Sequence, residues 1–186
     1  MSDLLEFLIK YSMKNLEYNV AIVGATGLIG RKFIEVLEQR QFPIANARLF
    51  ASERSRGKTL QAFGRTIAVE SLENNDFEGI DFAFFSAGKE VSLKYAPLFE
   101  KSGAIVIDNS SAFRGCLDIP LIVPELNGDK IYSSDRKIIA NPNCSTIIAI
   151  TPLCNIRKNY KIKRLIFSTY QSVSGSGMKG VKDLLK

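Results

Sequence analysis

The sequence predicts an α/β protein with a Rossmann-like, doubly wound parallel sheet. Three observations carry that prediction. Short apolar runs alternate with helix-like stretches from residue 19 onward. The runs are apolar on consecutive residues, as a parallel sheet covered on both faces requires. A glycine-rich turn joins the first run to the first helical stretch.

The elements follow in order. Residues 20–23, Val-Ala-Ile-Val, read as a buried strand, 28–40 as a helix and 47–51 as a second strand, which is βαβ grammar. Residues 81–85 form another strand signal before an amphipathic stretch at 91–101, and 104–107 read as a further buried strand. After Asp108 the texture changes to loops rich in Asn, Ser and Pro. A short run at 138–140 follows, then an apolar helix over 145–153 that Pro152 is expected to end or kink. Residues 164–170 read as a long strand entering a Ser/Gly loop at 172–177. A last helical start stops at Lys186, which gives the chain the look of a fragment. Residues 1–18 precede the first strand signal, with 1–12 read either as a peripheral extension or as an amphipathic surface helix. The expected divisions are an extension at 1–18, a nucleotide-binding domain at 19–143 and the start of a second domain at 144–186.

Composition narrows the classes. The 186 residues are 46% hydrophobic, enough for one sizeable core. No apolar run approaches the roughly 20 residues that span a bilayer. The N-terminal cluster from Leu4 to Ile9 lacks a basic start and a cleavage site, so a cytoplasmic protein without a secretory signal is expected. The net charge of +6 is scattered among acids with no basic stretch interleaved with aromatics. That pattern disfavours nucleic acid and suits an anionic cofactor or substrate. The 3 cysteines show no CxxC spacing, which argues against a disulfide framework or a zinc site, and no metal is expected.

The turn Gly24-Ala-Thr26-Gly27-Leu28-Ile29-Gly30 sits between strand and helix, where glycines permit a tight turn and bring backbone amides close to a pyrophosphate. Which dinucleotide it takes depends on the end of the second strand. There the chain reads Ser52-Glu53-Arg54-Ser55, offering a guanidinium and hydroxyls to a 2′-phosphate, so NADP is favoured over NAD. Glu53 argues the other way, and a solvated charged loop is the competing reading. Further along, Asn141-Pro-Asn143-Cys144 places a cysteine at a helix start, where free amides and the helix dipole favour a thiolate. Cys154 reads as a small core residue and Cys116 as a loop residue. Arg114, after an Asn/Ser-rich turn, could clamp an oxyanion or lie in a surface salt bridge.

Taken together, the glycine turn, Ser86-Ala87-Gly88, Asn109-Ser-Ser-Ala-Phe-Arg114, Val123-Pro-Glu125, Asn141-Pro-Asn-Cys-Ser-Thr146 and Gln171-Ser-Val-Ser174-Gly175 resemble aspartate-semialdehyde dehydrogenase. The resemblance runs from about Asn19 to Lys186, covers roughly the first half of a typical member, and implies that the doubly wound sheet is followed by the truncated beginning of an α+β substrate or dimerisation domain. It implies a phosphorylating dehydrogenase with Cys144 as nucleophile, Gln171 orienting the substrate, Asn143 shaping its pocket and Arg114 holding phosphate. It implies that Thr26 to Ile29, Arg54, Ser55, Ser86 to Gly88, Ser174 and Gly175 line NADP, and that the intact enzyme is a homo-oligomer. The family's general acid/base is a histidine of the second half, and this chain has 0 histidines. The 186-residue chain alone is therefore expected to bind NADP weakly and without turnover. The alternatives are part of an intact oxidoreductase, a surviving NADP-binding module, or a non-catalytic assembly protein from the same family.

Overall fold

In a strand, successive side chains point to opposite faces, so a run apolar at every position needs cover on both sides. The strand Tyr18–Val23 (β1) meets that demand: Ala21 and Val23 enter one hydrophobic cluster, and Val20 and Ile22 enter another on the opposite face. The structure, a computed structural model, describes residues 17–73 and 75–186. The reading of residues 1–16 lies outside the described residues. Tyr18, assigned from sequence to the extension, is the first residue of β1, with its ring 5.0 Å from that of Phe82.

After β1 come Leu28–Gln39 (α1), Ile44–Ala51 (β2), Thr59–Ala62 (β3), Arg65–Ser71 (β4), Phe82–Phe85 (β5) and Lys89–Lys101 (α2). Then follow Ile105–Asp108 (β6), Pro124–Asn127 (α3), Ile138–Ala140 (β7), Cys144–Asn159 (α4) and Gly177–Leu184 (α5). The 7-stranded sheet runs β3-β4-β2-β1-β5-β6-β7, with every neighbouring pair parallel except β3 with β4. Numbered along the chain without β3, the parallel strands lie in the 3-2-1-4-5-6 order of a doubly wound dinucleotide-binding sheet. The expected fold class holds.

The two helices that connect parallel strands lie on opposite faces. Ile34 and Leu37 of α1 pack with Val20, Ile22 and Leu49, while Tyr95, Ala96 and Phe99 of α2 pack with Val23, Phe85 and Val106. Phe99 is the centre of its side: its ring stacks on Phe77 at 4.0 Å and meets Phe85 edge-on at 5.2 Å. Each fully buried phenylalanine contributes about 1.5–3 kcal/mol.

Glu100, near the end of α2, ties that helix to the entry of β7. It accepts hydrogen bonds from Arg136 Nε and Nη2, both at 2.9 Å, and from the Lys137 amide at 2.8 Å. Arg136 first, and then the backbone amides of Lys137 and Ile138, hold the Glu100 carboxyl below the usual carboxylate range, against the opposing effect of burial. A carboxyl lowered on folding contributes stability above its unfolded value, about 4.3, and loses it as pH falls through the folded value. Thermal melts of the wild type should therefore fall more steeply below about pH 4.5 than those of Glu100→Gln, which lacks this titration. Equal slopes in the two proteins would mean that the pair contributes nothing to the pH dependence.

Three parts of the sequence reading change. The hairpin β3–β4 was not foreseen; its turn is Phe63-Gly64, with φ of 53° and 69°, the left-handed pair that a two-residue hairpin requires. Helix α4 does not end at Pro152 but continues to Asn159, with the proline inside it. Residues 161–172 carry no regular structure, so the strand expected at 164–170 is absent. A strand exists only through a hydrogen-bonded neighbour, and no partner for this segment lies among the described residues. The apolar side chains that suggested it stay out in solvent, Ile166 at 76% and Tyr170 at 101% exposed. No helix among the described residues is long and apolar enough to cross a membrane.

Candidate active site

In a doubly wound sheet the chain reverses its lateral direction between the first strand and the fourth parallel one, leaving a crevice at their carboxyl ends. Here that point lies between β1 and β5, and the carboxyl ends of β1, β2, β4 and β5 open into a cleft of about 430 Å³. Its lining includes Gly24, Thr26 and Gly27 from the turn, Ser52 and Glu53 after β2, and Ser86 and Ala87 after β5.

The turn can only be built with glycine. Gly24 has φ of +90°, and a Cβ there would lie 2.9 Å from the Ser86 carbonyl carbon. At Gly30 a Cβ would lie 2.7 Å from the Gly24 carbonyl carbon and 2.8 Å from Ala25 Cα, so α1 seats directly on the turn. The Gly24 and Ala25 amides both donate to the Phe50 carbonyl, at 2.8 and 3.0 Å, pinning the turn to β2. Helix α1 then starts at Leu28 with Gly27 as its cap, no side-chain hydrogen bond to its first amides and no acid in its first turn. Those free amides at a positive helix end suit a pyrophosphate. The residues present fit a dinucleotide.

Leu28 and Ile29 are exposed in that first turn. Ser86 Oγ donates to the Val23 carbonyl at 3.1 Å, and Gly88, at φ +93°, caps α2. Sequence reading missed Ser71, Leu72, Glu73, Val91 and Tyr95 in the cleft wall. Ser71 ends β4, the strand it did not find, and Leu72 and Glu73 follow it; Val91 and Tyr95 are the face that α2 turns inward.

The loop after β2 is a 3-10 turn, Glu53–Ser55. Glu53 lines the cleft, and its carboxyl is lowered first by a hydrogen bond from Ser71 and then by Arg56, whose Nη1 lies 3.2 Å away. Arg54 is exposed and makes no ion pair among the described residues. Ser55 donates its amide to the Ser52 carbonyl at 2.7 Å, closing the turn.

A second group lies where β7 ends, on the same carboxyl edge of the sheet, with only β6 between β7 and β5. At ordinary strand spacing that separation is about 10 Å. Asn143 caps α4 by accepting the Ser145 amide at 2.9 Å, and Cys144 is the first helical residue, exposed. Gln171 Nε2 approaches Cys144 Sγ at 3.8 Å although 27 residues separate them. The loop that carries Gln171 continues into the 3-10 turn Val173–Ser176, where Ser174 donates its amide to Ser172 Oγ at 3.3 Å. Cys154 donates to the Ile150 carbonyl within α4, and Cys116 is exposed.

Between these groups lies a network that fixes the loops after β6 and β7. Asp108 is fully buried and accepts Ser92 Oγ at 2.6 Å and Ser110 Oγ at 2.7 Å. Ser110 Oγ in turn accepts the Ala112 amide at 3.0 Å. Arg114 gives Nε to the Asn141 carbonyl at 2.8 Å and Nη2 to the Asn109 carbonyl at 2.9 Å, while the Asn141 side chain reaches Asn109. Two of the five guanidinium donors are thus committed to backbone, which leaves both N–H groups of Nη1 and one of Nη2 to face an anion.

Sheets wound in this order bind dinucleotides in this crevice, and the class the fold defines is a dinucleotide-binding domain that delivers a helix-terminal cysteine to the same edge. Residues 19–134 match the family described as semialdehyde dehydrogenase, NAD binding domain. The chain is 52% identical over 169 residues to an aspartate-semialdehyde dehydrogenase of Aquifex aeolicus, covering 90% of this chain and 50% of that one. Among solved structures, aspartate semialdehyde dehydrogenase II of Vibrio cholerae, complexed with ASA, superposes with a TM-score of 0.89 at 46% identity, over 92% of this chain and 51% of that one. The Candida albicans enzyme, solved with NADP, superposes with a TM-score of 0.62 at 26% identity, over 76% of this chain and 47% of that one. The chain belongs to the semialdehyde dehydrogenase family, and its relatives are aspartate-semialdehyde dehydrogenases, oxidoreductases with a nucleotide-binding domain. It spans about half the length of the curated relatives it matches.

Proposed function

We propose that this chain is the cofactor-binding and nucleophile-bearing half of an NADP-dependent aspartate-semialdehyde dehydrogenase, a cytoplasmic homo-oligomer in its intact form. The observation that carries the proposal is the approach of the Gln171 amide to Cys144 at the head of α4, on the edge that also holds the glycine turn. An exposed thiol at a helix N-terminus with a polar amide beside it is built for attack on a carbonyl.

Cys144 attacks the aldehyde carbon of aspartate semialdehyde and forms a hemithioacetal. The cofactor, when bound over the glycine turn and Ser86 to Gly88, supplies the hydride acceptor. Cys144 then holds the acyl group as a thioester, which inorganic phosphate cleaves to aspartyl 4-phosphate, freeing the thiol. In the biosynthetic direction, toward lysine, threonine and methionine, the same steps reverse. Gln171 orients the substrate carbonyl, Asn143 sets the helix start and so the position of the thiol, and Arg114 offers phosphate its uncommitted Nη1. The proton transfers need an acid/base group, and with 0 histidines the chain alone binds cofactor without turning over.

NADP is proposed over NAD because Glu53, the acid a ribose 2′-hydroxyl would want, is engaged by Ser71 and Arg56, while Arg54 beside it makes no ion pair among the described residues. Fluorescence titration should show NADPH bound at least about tenfold tighter than NADH. Arg54→Ala should erase about that factor for NADPH alone, since one charge-assisted contact is worth about 1.4 kcal/mol. Equal affinities in the wild type would sink the NADP assignment.

A further inference from the structure

Glycine at position 175 has no backbone reason to be glycine. Its φ is not among the positive values that favour this residue. The turn around it closes by bonds any residue could make, its amide donating to the Ser172 carbonyl at 3.1 Å. The reason lies in the space beside it: a Cβ at 175 would stand 2.5 Å from Gln171 Nε2 and 3.5 Å from Gln171 Cδ. That same Nε2 is the atom 3.8 Å from Cys144 Sγ.

We propose that Gly175 is a positioning residue, whose missing side chain is the space that holds the Gln171 amide against the Cys144 thiol. The inference rests on the reading of Gln171 as the polar partner of the nucleophile, and it adds a duty distinct from lining the cofactor. A methyl group at 175 meets only the far end of a flexible side chain, with no backbone atom among its nearest neighbours. The fold therefore tolerates it, and the amide is what moves. Once displaced, the amide no longer donates to sulfur, and the thiolate loses a stabilising hydrogen bond.

The test is alkylation of the full 186-residue chain by iodoacetamide, followed peptide by peptide in a mass spectrometer, with Cys116 and Cys154 as internal references. Gln171→Ala and Gly175→Ala should each slow Cys144 about threefold at neutral pH, the worth of one modest hydrogen bond. The double variant should be no slower than Gln171→Ala. The reference cysteines should keep their wild-type rates. A wild-type rate in Gly175→Ala beside a slow Gln171→Ala overturns the inference and leaves the role of Gln171 standing. A wild-type rate in Gln171→Ala overturns both. Additive losses in the double variant, or a faster Cys154 in Gly175→Ala, show that Gly175 acts through the backbone and also overturn it.

Discussion

Gly30→Ala is expected to weaken NADPH binding by at least about tenfold and to lower stability by about 2–3 kcal/mol, the upper part of the range for a methyl forced into a packed interior. The added carbon would lie 2.7 Å from the Gly24 carbonyl carbon and 2.8 Å from Ala25 Cα, both backbone atoms. Backbone held between β1 and β2 has nowhere to go, because the Gly24 and Ala25 amides are bonded to the Phe50 carbonyl. The helix must lift off the turn instead, and its first amides move away from the cofactor phosphates they are proposed to hold. Gly27→Ala is the internal comparison: its Cβ would meet one oxygen, that of Gly24, at 3.2 Å, which a small shift relieves. Denaturant melts and NADPH titrations on both variants should show a small effect at Gly27 and a large one at Gly30. Equal effects would mean that helix seating is not what the third glycine of the turn provides.

That turn was legible in the sequence because its signal is local: a buried strand, spaced glycines and a helix all lie within residues 20–40. The same holds for β5, β6 and β7, whose apolar runs are short and continuous, for α2, whose apolar residues recur at helical spacing, and for Cys144, placed at a helix start by the residues before it. The hairpin β3–β4 escaped because its strands are half exposed and mix charges with small residues, as in Arg65-Thr-Ile-Ala-Val-Glu. Only the Phe63-Gly64 turn marked it, and missing it hid Ser71, Leu72 and Glu73 from the cleft. At 164–170 the error ran the other way. The β-branched and aromatic residues there have real strand propensity, but propensity alone supplies no neighbour. Least legible were the contacts between distant loops. Nothing in the sequence says that Arg114 bonds the Asn141 carbonyl, or that Gly175 leaves room for Gln171; both need the tertiary structure.

Asp108→Ala should cost about 3 kcal/mol, a fall of roughly 10 °C in melting temperature for a domain of this size. The residue is fully buried at the end of β6, and its carboxyl oxygens accept the hydroxyls of Ser92 and Ser110. Ser92 is itself at 0% exposure, so removing the acceptor leaves a hydroxyl with neither partner nor water, which is the expensive half of the change. The second consequence falls on the site. Ser110 begins the loop that ends in Arg114, and Arg114 joins that loop to Asn141, three residues before Cys144. Loosening Ser110 should therefore spread to the nucleophile, and Cys144 should exchange faster between conformations and alkylate at a changed rate. Asp108→Asn separates the two effects, because an amide still accepts one hydroxyl and should retain about half of the stability. If Asp108→Ala melts within a degree or two of the wild type, the buried carboxyl is not what fixes the loop, and the connection from β6 to the nucleophile runs through the backbone bond from the Asn141 amide to the Asp108 carbonyl instead.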